Sequence, residues 1–330
     1  MSLYLCIDGG GTKTAAIVAQ VVDGRVVKQA RGEAGPSNLT FGLDNCLSAT
    51  RQAVTTALEH IDPELAQEFT AGTIAFARAW AGYAGCARPA DFATLQPPLS
   101  QLIPCSALTL SSDGELLTSP LHSSACSTCI TLICGTGSLA LLWRWADGEV
   151  RNEGRSGGWG AVLGDEGSGW SLGREGIKSV LTYTANGLPL LPWHRDILNH
   201  LGVSDPDLLL TAATRLAETC PPGPAESERK KRIAGCARIV VGAEGDEADR
   251  VLGKVAREVV DVLRPLVGRL EGDLEDTILS VTGGLGGSAF WKRVEGLMSL
   301  EGWIWHSVCY LADPAEQGLR SLLQRDSVNR

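Results

Sequence analysis

The feature that most constrains the fold is a strand, a glycine turn and a second strand, an arrangement that occurs twice in the chain. Each copy consists of an apolar β-forming run, a glycine-rich turn and another apolar run. The segments are residues 3–7, 8–14 and 15–19 in the first copy, and 129–134, 135–138 and 139–143 in the second. An Asp-Gly pair follows each copy, at 23–24 and 147–148. An internal duplication of this kind predicts two lobes of similar fold.

The first turn, Asp-Gly-Gly-Gly-Thr-Lys-Thr over residues 8–14, has the composition of an anion site. Consecutive glycines let the backbone turn tightly and direct N–H groups at a bulky anion. Thr12 and Thr14 add hydroxyls, Lys13 adds a cation, and Asp8 adds a carboxylate suited to a hydrated magnesium ion. The Walker and Gly-x-Gly-x-x-Gly patterns are absent from this turn. An ordinary hairpin turn therefore stays open on this evidence.

Length and charge limit the classes of function. A chain of 330 residues is long enough for about two domains. The net charge of −9 and a pI near 5.2 argue against a broad nucleic-acid or anionic-membrane surface. Met1 leads straight into the first strand without a basic n-region, and the apolar segment 128–143 is too short to span a bilayer. We expect a soluble, cytoplasmic protein with no nucleic-acid or membrane partner.

The ten cysteines are scattered through apparent strands and helices. This distribution is typical of small buried hydrophobic residues in a reducing compartment. Cys126 and Cys129 form the only C-x-x-C pair, and no second pair or nearby histidine completes a ligand set. The sequence predicts neither an iron–sulfur cluster nor structural zinc.

Periodicity places the other elements along the chain. In the first half we predict a helix over 43–60, a strand over 73–77, a helix from about 89 that breaks at Pro97-Pro98, and a strand over 107–112. In the second half we predict helices over 170–186, 205–219, 227–244 and 247–270, a strand over 277–281, a helix from Ser288, and a last helix over 314–324. A polar glycine loop at 156–168 precedes the first of these helices. The basic run 229–232 is interpreted as a solvated helix face.

Three glycine turns, at 9–11, 135–137 and 283–287, follow three strands. This pattern resembles the superfamily of sugar kinases, actin and the heat-shock chaperone ATPases. The motifs also resemble, more specifically, those of the N-acetylglucosamine kinase family, which is related to the activator ATPases of 2-hydroxyacyl-CoA dehydratases. They are residues 8–14, 36–38, Asp113, 134–138 and the Gly-Gly-Trp-Gly…Gly-Asp-Glu-Gly-Ser segment at 157–168. Only the last is specific by itself.

The resemblance implies an α/β fold of two ribonuclease-H-like (actin-like ATPase) lobes, each a mixed sheet with flanking helices, with the active site in the cleft between them. The N-terminal lobe would be 1–118 plus the C-terminal helix 312–330, and the C-terminal lobe 119–311. The implied enzyme is an ATP-dependent sugar kinase. It would phosphorylate N-acetyl-D-glucosamine on its 6-hydroxyl and give N-acetylglucosamine 6-phosphate and ADP, with ATP and Mg²⁺ as cofactors.

The resemblance also assigns roles to residues. Asp113 would be the general base, and Asp8 would act on magnesium. The nucleotide would contact Gly10, Gly11, Thr12, Lys13, Gly135, Thr136, Gly137, Ala234, Gly284 and Gly286. The sugar would contact Asn38, Asp113, Gly158, Trp159, Gly160, Ala161 and Asp165. Several alternatives stay open: Asp8 as a turn cap, Asp113 in an ordinary turn, Trp159 as a loop anchor and Glu166 as a helix cap.

Other readings differ in activity. The chain could phosphorylate glucosamine or another amino sugar. It could be a dehydratase-activator ATPase, although the loop at 157–168 counts against this. It could also be a non-catalytic sugar or nucleotide sensor. The segment 187–226 aligns with nothing in the family, and the preferred sugar, the regulation and the oligomeric state, with a homodimer as one option, are left open.

Overall fold

We analysed a computed structural model of the chain, which describes residues 1–147, 149–214, 222–270 and 274–328. The chain divides into two compact units. The first comprises Met1–Ser127, Trp145–Val150 and Leu311–Arg330, and the second comprises Thr128–Arg144 and Arg151–Tyr310. The C-terminal segment thus returns to the first unit, against whose first strand it packs.

The first unit contains one five-stranded sheet. Its strands are β1 (Ser2–Gly9), β2 (Thr14–Val22), β3 (Arg25–Ala34), β4 (Arg78–Tyr83) and β5 (Leu108–Ser112). Its helices are α1 (Leu43–Ile61), α2 (Pro63–Ala71), α3 (Pro89–Leu102), the short α4 (Asp113–Leu116) and the last helix of the chain, Pro314–Val328. The strand order is β3-β2-β1-β4-β5. β1 pairs antiparallel with β2 and parallel with β4, which pairs parallel with β5.

This sheet is covered on both faces. Alternate residues of β1 enter different apolar clusters, because successive side chains of a strand point to opposite faces. Leu5 and Ile7 pack with the buried side of α1, while Tyr4 and Cys6 pack with Leu319 of the last helix. A strand buried on both sides reads as a continuous apolar run, which is why it was visible in the sequence.

The second unit repeats this plan. Its strands are β6 (Thr128–Cys134), β7 (Ser138–Ala146), β8 (Glu149–Gly157), β9 (Thr277–Thr282) and β10 (Ser307–Tyr310), in the order β10-β9-β6-β7-β8. Its helices are α5 (Gly160–Leu163), α6 (Gly169–Ala185), α7 (Pro192–His200), α8 (Leu209–Thr214), α9 (Pro222–Val241), α10 (Asp246–Val267) and α11 (Ala289–Leu300), so that the last helix of the chain is α12.

The two sheets correspond strand for strand. In each, an antiparallel hairpin is followed along the sheet by two strands parallel to its first strand. Asp23 and Asp147, at the matching hairpin turns, both take positive φ, 50° and 56°. This arrangement is the ribonuclease-H-like fold of the actin-like ATPases, and it confirms both the two similar lobes predicted from the duplication and the fold implied by the family resemblance.

The predicted strand at 73–77 was wrong. The fourth strand is β4, Arg78–Tyr83, and before it only Phe76 forms an isolated bridge, to Cys105. Pairing with β1 sets this position, since the parallel register starts at Tyr4 opposite Arg78. The apolar character of 73–77 instead reflects burial of Ile74 and Phe76.

The predicted break at Pro97-Pro98 was also wrong. α3 continues through both prolines to Leu102. Proline in a helix interior removes a backbone hydrogen bond and costs about 3 kcal/mol or more. Here Leu95 and Leu99 are completely buried, so packing of the helix against the sheet outweighs the local preference.

Sequence reasoning missed the elements α2, α4, β8, α5, α7 and β10. Of the helix predicted over 205–219, the structure has α8, and residues 215–219 lie outside the described part of the chain. The basic run 229–232 is only partly a solvated face: Lys230 pairs with Asp165, and the Arg232 guanidinium donates to Leu201 O. In the described ranges, no helix is long and apolar enough to cross a membrane.

Candidate active site

The first glycine turn joins β1 to β2 in the first unit. Gly10 N–H donates to Lys13 O at 2.9 Å and closes the turn, and Gly10 O accepts from Ser37 N–H at 3.1 Å. The N–H groups of Gly11 and Thr12 form no hydrogen bond with any described residue, and Thr12 is exposed. The turn can therefore offer two free backbone donors to an anion.

The other polar side chains of this turn have protein partners. Thr14 is fully buried, and its hydroxyl oxygen lies 2.7 Å from both Gly35 O and Ser37 Oγ. The expectation that Thr14 serves an anion was therefore wrong. Lys13 Nζ donates to Glu33 Oε1 at 3.0 Å, on the exposed side of the sheet. Its role toward a nucleotide stays a prediction.

Asp8 and Asp113 meet at one edge of the first sheet. Asp8 lies near the carboxyl end of β1, opposite Gly82 of β4, and Asp113 directly follows β5. Because the three strands are parallel neighbours, their carboxyl ends lie together. Burial, and next the charge of Asp113, raise the pKa of Asp8 to about 7. The two carboxylates are thus close enough to repel each other.

Asp113 is held as a half-buried carboxylate. It is the first residue of α4, and its Oδ1 accepts from Gly114 N–H at 2.9 Å. Burial raises its pKa, and the Gly114 hydrogen bond opposes this increase. The Asp113-Gly114 pair is therefore a helix start at the end of a strand rather than a hairpin turn. A carboxylate with a raised pKa accepts a proton more readily near neutral pH.

Asn38 lies beside the first turn. Its Oδ1 accepts from Thr40 N–H and from the Thr40 hydroxyl, at 2.9 and 2.7 Å. A Cβ built on Gly11 would lie 3.7 Å from Asn38 Nδ2. The first unit thus brings Gly10, Gly11 and Thr12 together with Asn38.

The second glycine turn joins β6 to β7 in the second unit and resembles the first. Gly135 N–H donates to Gly137 O at 3.0 Å. The carbonyls of Gly135 and Thr136 accept from Gly169 and Trp170 N–H, at 2.8 and 3.1 Å, which ties the turn to the start of α6. Within the described ranges, the N–H groups of Thr136 and Gly137 have no hydrogen-bond partner, and Thr136 is exposed.

The third glycine segment packs directly on the second turn. Gly283 has φ of +102°, and a Cβ there would clash with Cys134 O, so only glycine fits. Leu285 N–H donates to the same carbonyl at 3.2 Å. A Cβ built on Gly284 would meet nothing within 4 Å. Gly286 is less open, since a Cβ there would lie 2.9 Å from a Val281 methyl carbon.

Ala234 lies near the same place. It is on α9, and a Cβ built on Gly169 would lie 3.8 Å from Ala234 Cβ and 3.0 Å from Gly135 O. The structure therefore brings five of the six nucleotide contacts predicted in the second unit to one region around the second turn. Those five residues are Gly135, Thr136, Gly137, Ala234 and Gly284, and the sixth, Gly286, lies behind them.

Asp165 is buried against the second turn. Its Oδ1 accepts from Ser138 N–H at 3.1 Å. Its Oδ2 forms an ion pair with Lys230 Nζ at 2.6 Å, although the geometry of this contact is not that of a hydrogen bond. Its backbone takes φ of +61°, with its carbonyl accepting from the Ser168 hydroxyl at 2.5 Å. Asp165 thus fixes the turn in this structure, and its contact with a sugar stays a prediction.

The glycine loop before α6 is exposed at its centre. Gly157, Gly158 and Gly160 all have φ near +70 to +80°, at 72°, 71° and 80°. Trp159 is 57% exposed, and the Arg155 guanidinium stacks 4.9 Å from its ring centroid and donates to Gly158 O. The short helix α5, which includes Ala161, presents exposed apolar side chains next to it.

A residue that sequence reasoning missed secures the end of this loop. Glu258 of α10 accepts from Gly167 N–H at 2.9 Å and from the Ser171 hydroxyl. Gly167 has φ of +74°, and a Cβ there would lie 2.9 Å from Val259 N. Glu166 does not cap α6, whose N-cap side chain is Ser168. A lone glutamate 91 residues away along the chain carries no motif that could have revealed the contact.

Nine cysteines are free thiols in the described ranges, and Cys220 lies outside them. Cys126 and Cys129 are both buried. No group of three or more His, Cys, Asp or Glu side chains could hold a metal ion in the part of the chain that the structure describes. A magnesium ion needs fewer protein ligands, since it binds one or two carboxylates together with water and substrate phosphates.

Asp8 fits such an ion. Its carboxylate has no hydrogen-bond partner among the described residues, and the charges of Asp113 and Asp313 add to the effect of burial on its pKa. The positive charges of Arg31 and Lys13 lower the pKa of Asp8, but they offset the increase only in part, because both side chains pair with other carboxylates. A divalent cation beside Asp8 would remove the repulsion.

Comparison with known proteins gives relatives in one group. No family model matches the chain. The chain is 27% identical over 290 residues, 86% of both chains, to an N-acetylmuramic acid/N-acetylglucosamine kinase of Clostridium acetobutylicum. It is also 27% identical over 194 residues, 54% of both chains, to an N-acetyl-D-glucosamine kinase of Dictyostelium discoideum. A solved structure of a candidate N-acetylglucosamine kinase from Porphyromonas gingivalis shares the fold, with a TM-score of 0.67 at 21% identity over 99% of this chain and 100% of that one.

The sequence relatives and the fold agree with the motifs. The sequence identity to the first relative extends over most of the chain and most of that relative, so it is not confined to a single motif. The solved structure independently supports the ribonuclease-H-like topology of both units. The resemblance to the N-acetylglucosamine kinase family is thereby confirmed.

Proposed function

We propose that this protein is an ATP-dependent sugar kinase that phosphorylates N-acetyl-D-glucosamine on its 6-hydroxyl and releases N-acetylglucosamine 6-phosphate and ADP in the cytoplasm. The observation that carries the proposal is the closeness of Asp8 and Asp113 at the carboxyl ends of β1 and β5, the two parallel strands on either side of β4. The two named relatives support the sugar class.

The reaction needs three contributions from the protein. Phosphoryl transfer depends on neutralising the nucleotide, aligning the nucleophile and accepting its proton. In the proposal, Asp113 accepts the proton of the sugar hydroxyl through its free carboxylate oxygen, while Gly114 N–H keeps the side chain in place. Positioned general bases typically contribute ~10²–10⁴-fold in rate.

The two glycine turns are proposed to bind the phosphates. Each turn is closed by its own hydrogen bond and leaves N–H groups unpaired among the described residues, at Gly11 and Thr12 in one unit and at Thr136 and Gly137 in the other. Donors fixed by the fold do not have to reorganise when charge develops on the phosphoryl group. Mg²⁺, held near Asp8 through water, would supply further charge neutralisation on the nucleotide.

Sugar recognition is proposed for Asn38 and for the loop at 158–161. Asn38 Nδ2 faces the first turn, and the exposed Trp159 ring offers an apolar surface for a sugar ring face or an acetamide methyl group. We propose Asp165 as a further sugar contact, although it is already bound to Ser138 N–H and Lys230.

N-acetylmuramic acid is a second candidate substrate. The relative from Clostridium acetobutylicum, matched over 86% of its length, is a kinase of both N-acetylmuramic acid and N-acetylglucosamine. This sugar differs from N-acetylglucosamine by a lactyl ether on the 3-hydroxyl and keeps the 6-hydroxyl free. The same residues could therefore perform the transfer on either sugar.

The test is ADP release by the purified protein with Mg²⁺-ATP and a panel of sugars. The panel comprises N-acetylglucosamine, N-acetylmuramic acid, glucosamine and glucose, with phosphorus NMR to locate the phosphate on the product. We expect turnover with N-acetylglucosamine and phosphorus on the 6-oxygen. ATP hydrolysis independent of every sugar would favour an activator-type ATPase, and ATP binding without turnover would favour a sensor.

A further inference from the structure

We propose that Lys230 is a phosphate-binding residue of this protein, presented to the second glycine turn by Asp165. The inference rests on the proposed function, because it takes the turn at 135–137 as a phosphate site. It assigns a ligand role to a residue of the basic run 229–232, which the sequence pattern had indicated to be a solvated face.

The position of the ammonium group is the first support. A Cβ built on Gly137 would lie 2.8 Å from Lys230 Nζ and 2.5 Å from Asp165 Oδ1. The ammonium thus lies directly against the backbone of the turn, on the side of the Gly137 α-carbon where a side chain would project. Glycine at 137 is what leaves room for it.

The ion pair of the ammonium group is the second support for the inference. Lys230 comes from α9, remote in sequence from the turn, and its Nζ is 2.6 Å from Asp165 Oδ2. The Lys230 side chain is 27% exposed, whereas the Asp165 side chain is only 4% exposed. An ammonium group has three N–H donors, and the single carboxylate oxygen leaves donors available on its more exposed side.

The charge balance of the turn is the third. In the described ranges, the unpaired N–H groups of Thr136 and Gly137 are the turn's own donors. A buried Asp165 carboxylate beside them would repel an anion unless its charge were compensated. Lys230 compensates this charge and extends a cation toward the same anion, so the pair can hold the turn and still attract phosphate. A lysine acts on phosphate as a point charge.

Lys231 provides a matched control. It is the next residue of α9 and pairs with Glu228 at 3.1 Å on an exposed part of the same helix. Replacing it removes one positive charge from nearly the same sequence position without touching the turn. Any effect of Lys230 that is due only to net charge should therefore also appear at Lys231.

The experiment measures ATP and ADP affinity by calorimetry, without sugar, for the wild type and for Lys230→Met, Lys231→Met and the double variant Asp165→Asn/Lys230→Met. We expect Lys230→Met to lower the affinity for both ATP and ADP by roughly tenfold or more, which is the effect of losing a charge-assisted hydrogen bond. Lys231→Met should bind like the wild type.

The double variant separates a phosphate contact from a purely positioning role. Lys230→Met alone leaves Asp165 as an uncompensated buried charge, which could distort the turn. The Asp165→Asn substitution would keep an acceptor for Ser138 N–H without that charge. If Lys230 binds phosphate, the double variant stays weak.

Three results would overturn the inference. Recovery of wild-type affinity in the double variant would show that Lys230 acts only by neutralising Asp165. Wild-type affinity in Lys230→Met would show that it does not contact the nucleotide. No ATP binding by the wild-type protein would refute the proposed function itself, and the Lys230 inference with it.

Discussion

Replacing Asp113 with asparagine should abolish most transfer to sugar while preserving the fold. Asparagine has the same size, and its Oδ1 can still accept the Gly114 N–H bond now made at 2.9 Å. It cannot take a proton at neutral pH, so the variant loses the base and keeps the start of α4. A loss of ~10²-fold corresponds to about 2.7 kcal/mol of transition-state stabilisation.

The same substitution should not weaken the protein. Asp113 contributes a repulsive charge to Asp8, and burial already raises the pKa of both carboxylates. Removing one of two like charges lowers the cost of ionising the other. We therefore expect a melting temperature equal to or slightly above that of the wild type.

The assay is steady-state kinetics with the best sugar of the panel, combined with thermal melting of the same preparations. kcat should fall by at least ~10²-fold while ATP affinity hardly changes. Asp62→Asn is the control, because Asp62 likewise accepts a backbone N–H at a helix start, that of Glu64 at 3.0 Å, and it is far from the site in sequence. A stable Asp113→Asn protein with near-normal turnover would refute Asp113 as the base.

Two further predictions concern stability and the nucleotide. Burial lowers the pKa of His194 to about 4 in the folded protein, whereas the unfolded chain protonates this imidazole below about pH 6.5. The free energy of unfolding should therefore decrease as the pH falls from 6.5 to 4, by about 1–2 kcal/mol at pH 5. Urea unfolding at pH 7.5 and 5 measures this loss, and an equal loss in His194→Gln would contradict the assignment. Gly284→Ala adds a methyl group where the structure has open space and no positive φ, so the melting temperature should be unchanged while ATP binding weakens. Gly296→Ala, equally open, is its control, and unchanged ATP affinity in Gly284→Ala would exclude close approach of the adenosine to this backbone.

How much of the site the sequence could predict depends on the distance between partners along the chain. The turns at 9–11 and 135–137 are local: a glycine run between two apolar strands determines its own geometry, and both turns were predicted correctly as hairpins. The same holds for Asp113, whose place after an apolar strand puts it at the carboxyl edge of the sheet. Which ligands these groups bind stays a prediction.

The sequence by itself determined the duplicated strand–turn–strand plan, because strands buried on both faces impose continuous apolar runs on the chain and the tight turns between them impose glycines. The features that depend on contacts between residues distant in the chain were decided only by the tertiary structure. The burial of Leu95 and Leu99 keeps α3 intact through two prolines, and the register of β1 shifts the fourth strand to 78–83. Lys230 meets Asp165, and Glu258 meets Gly167, because α9 and α10 pack beside α6. Such pairs leave no periodicity or motif, since the residues are joined by packing rather than by neighbouring positions in the chain.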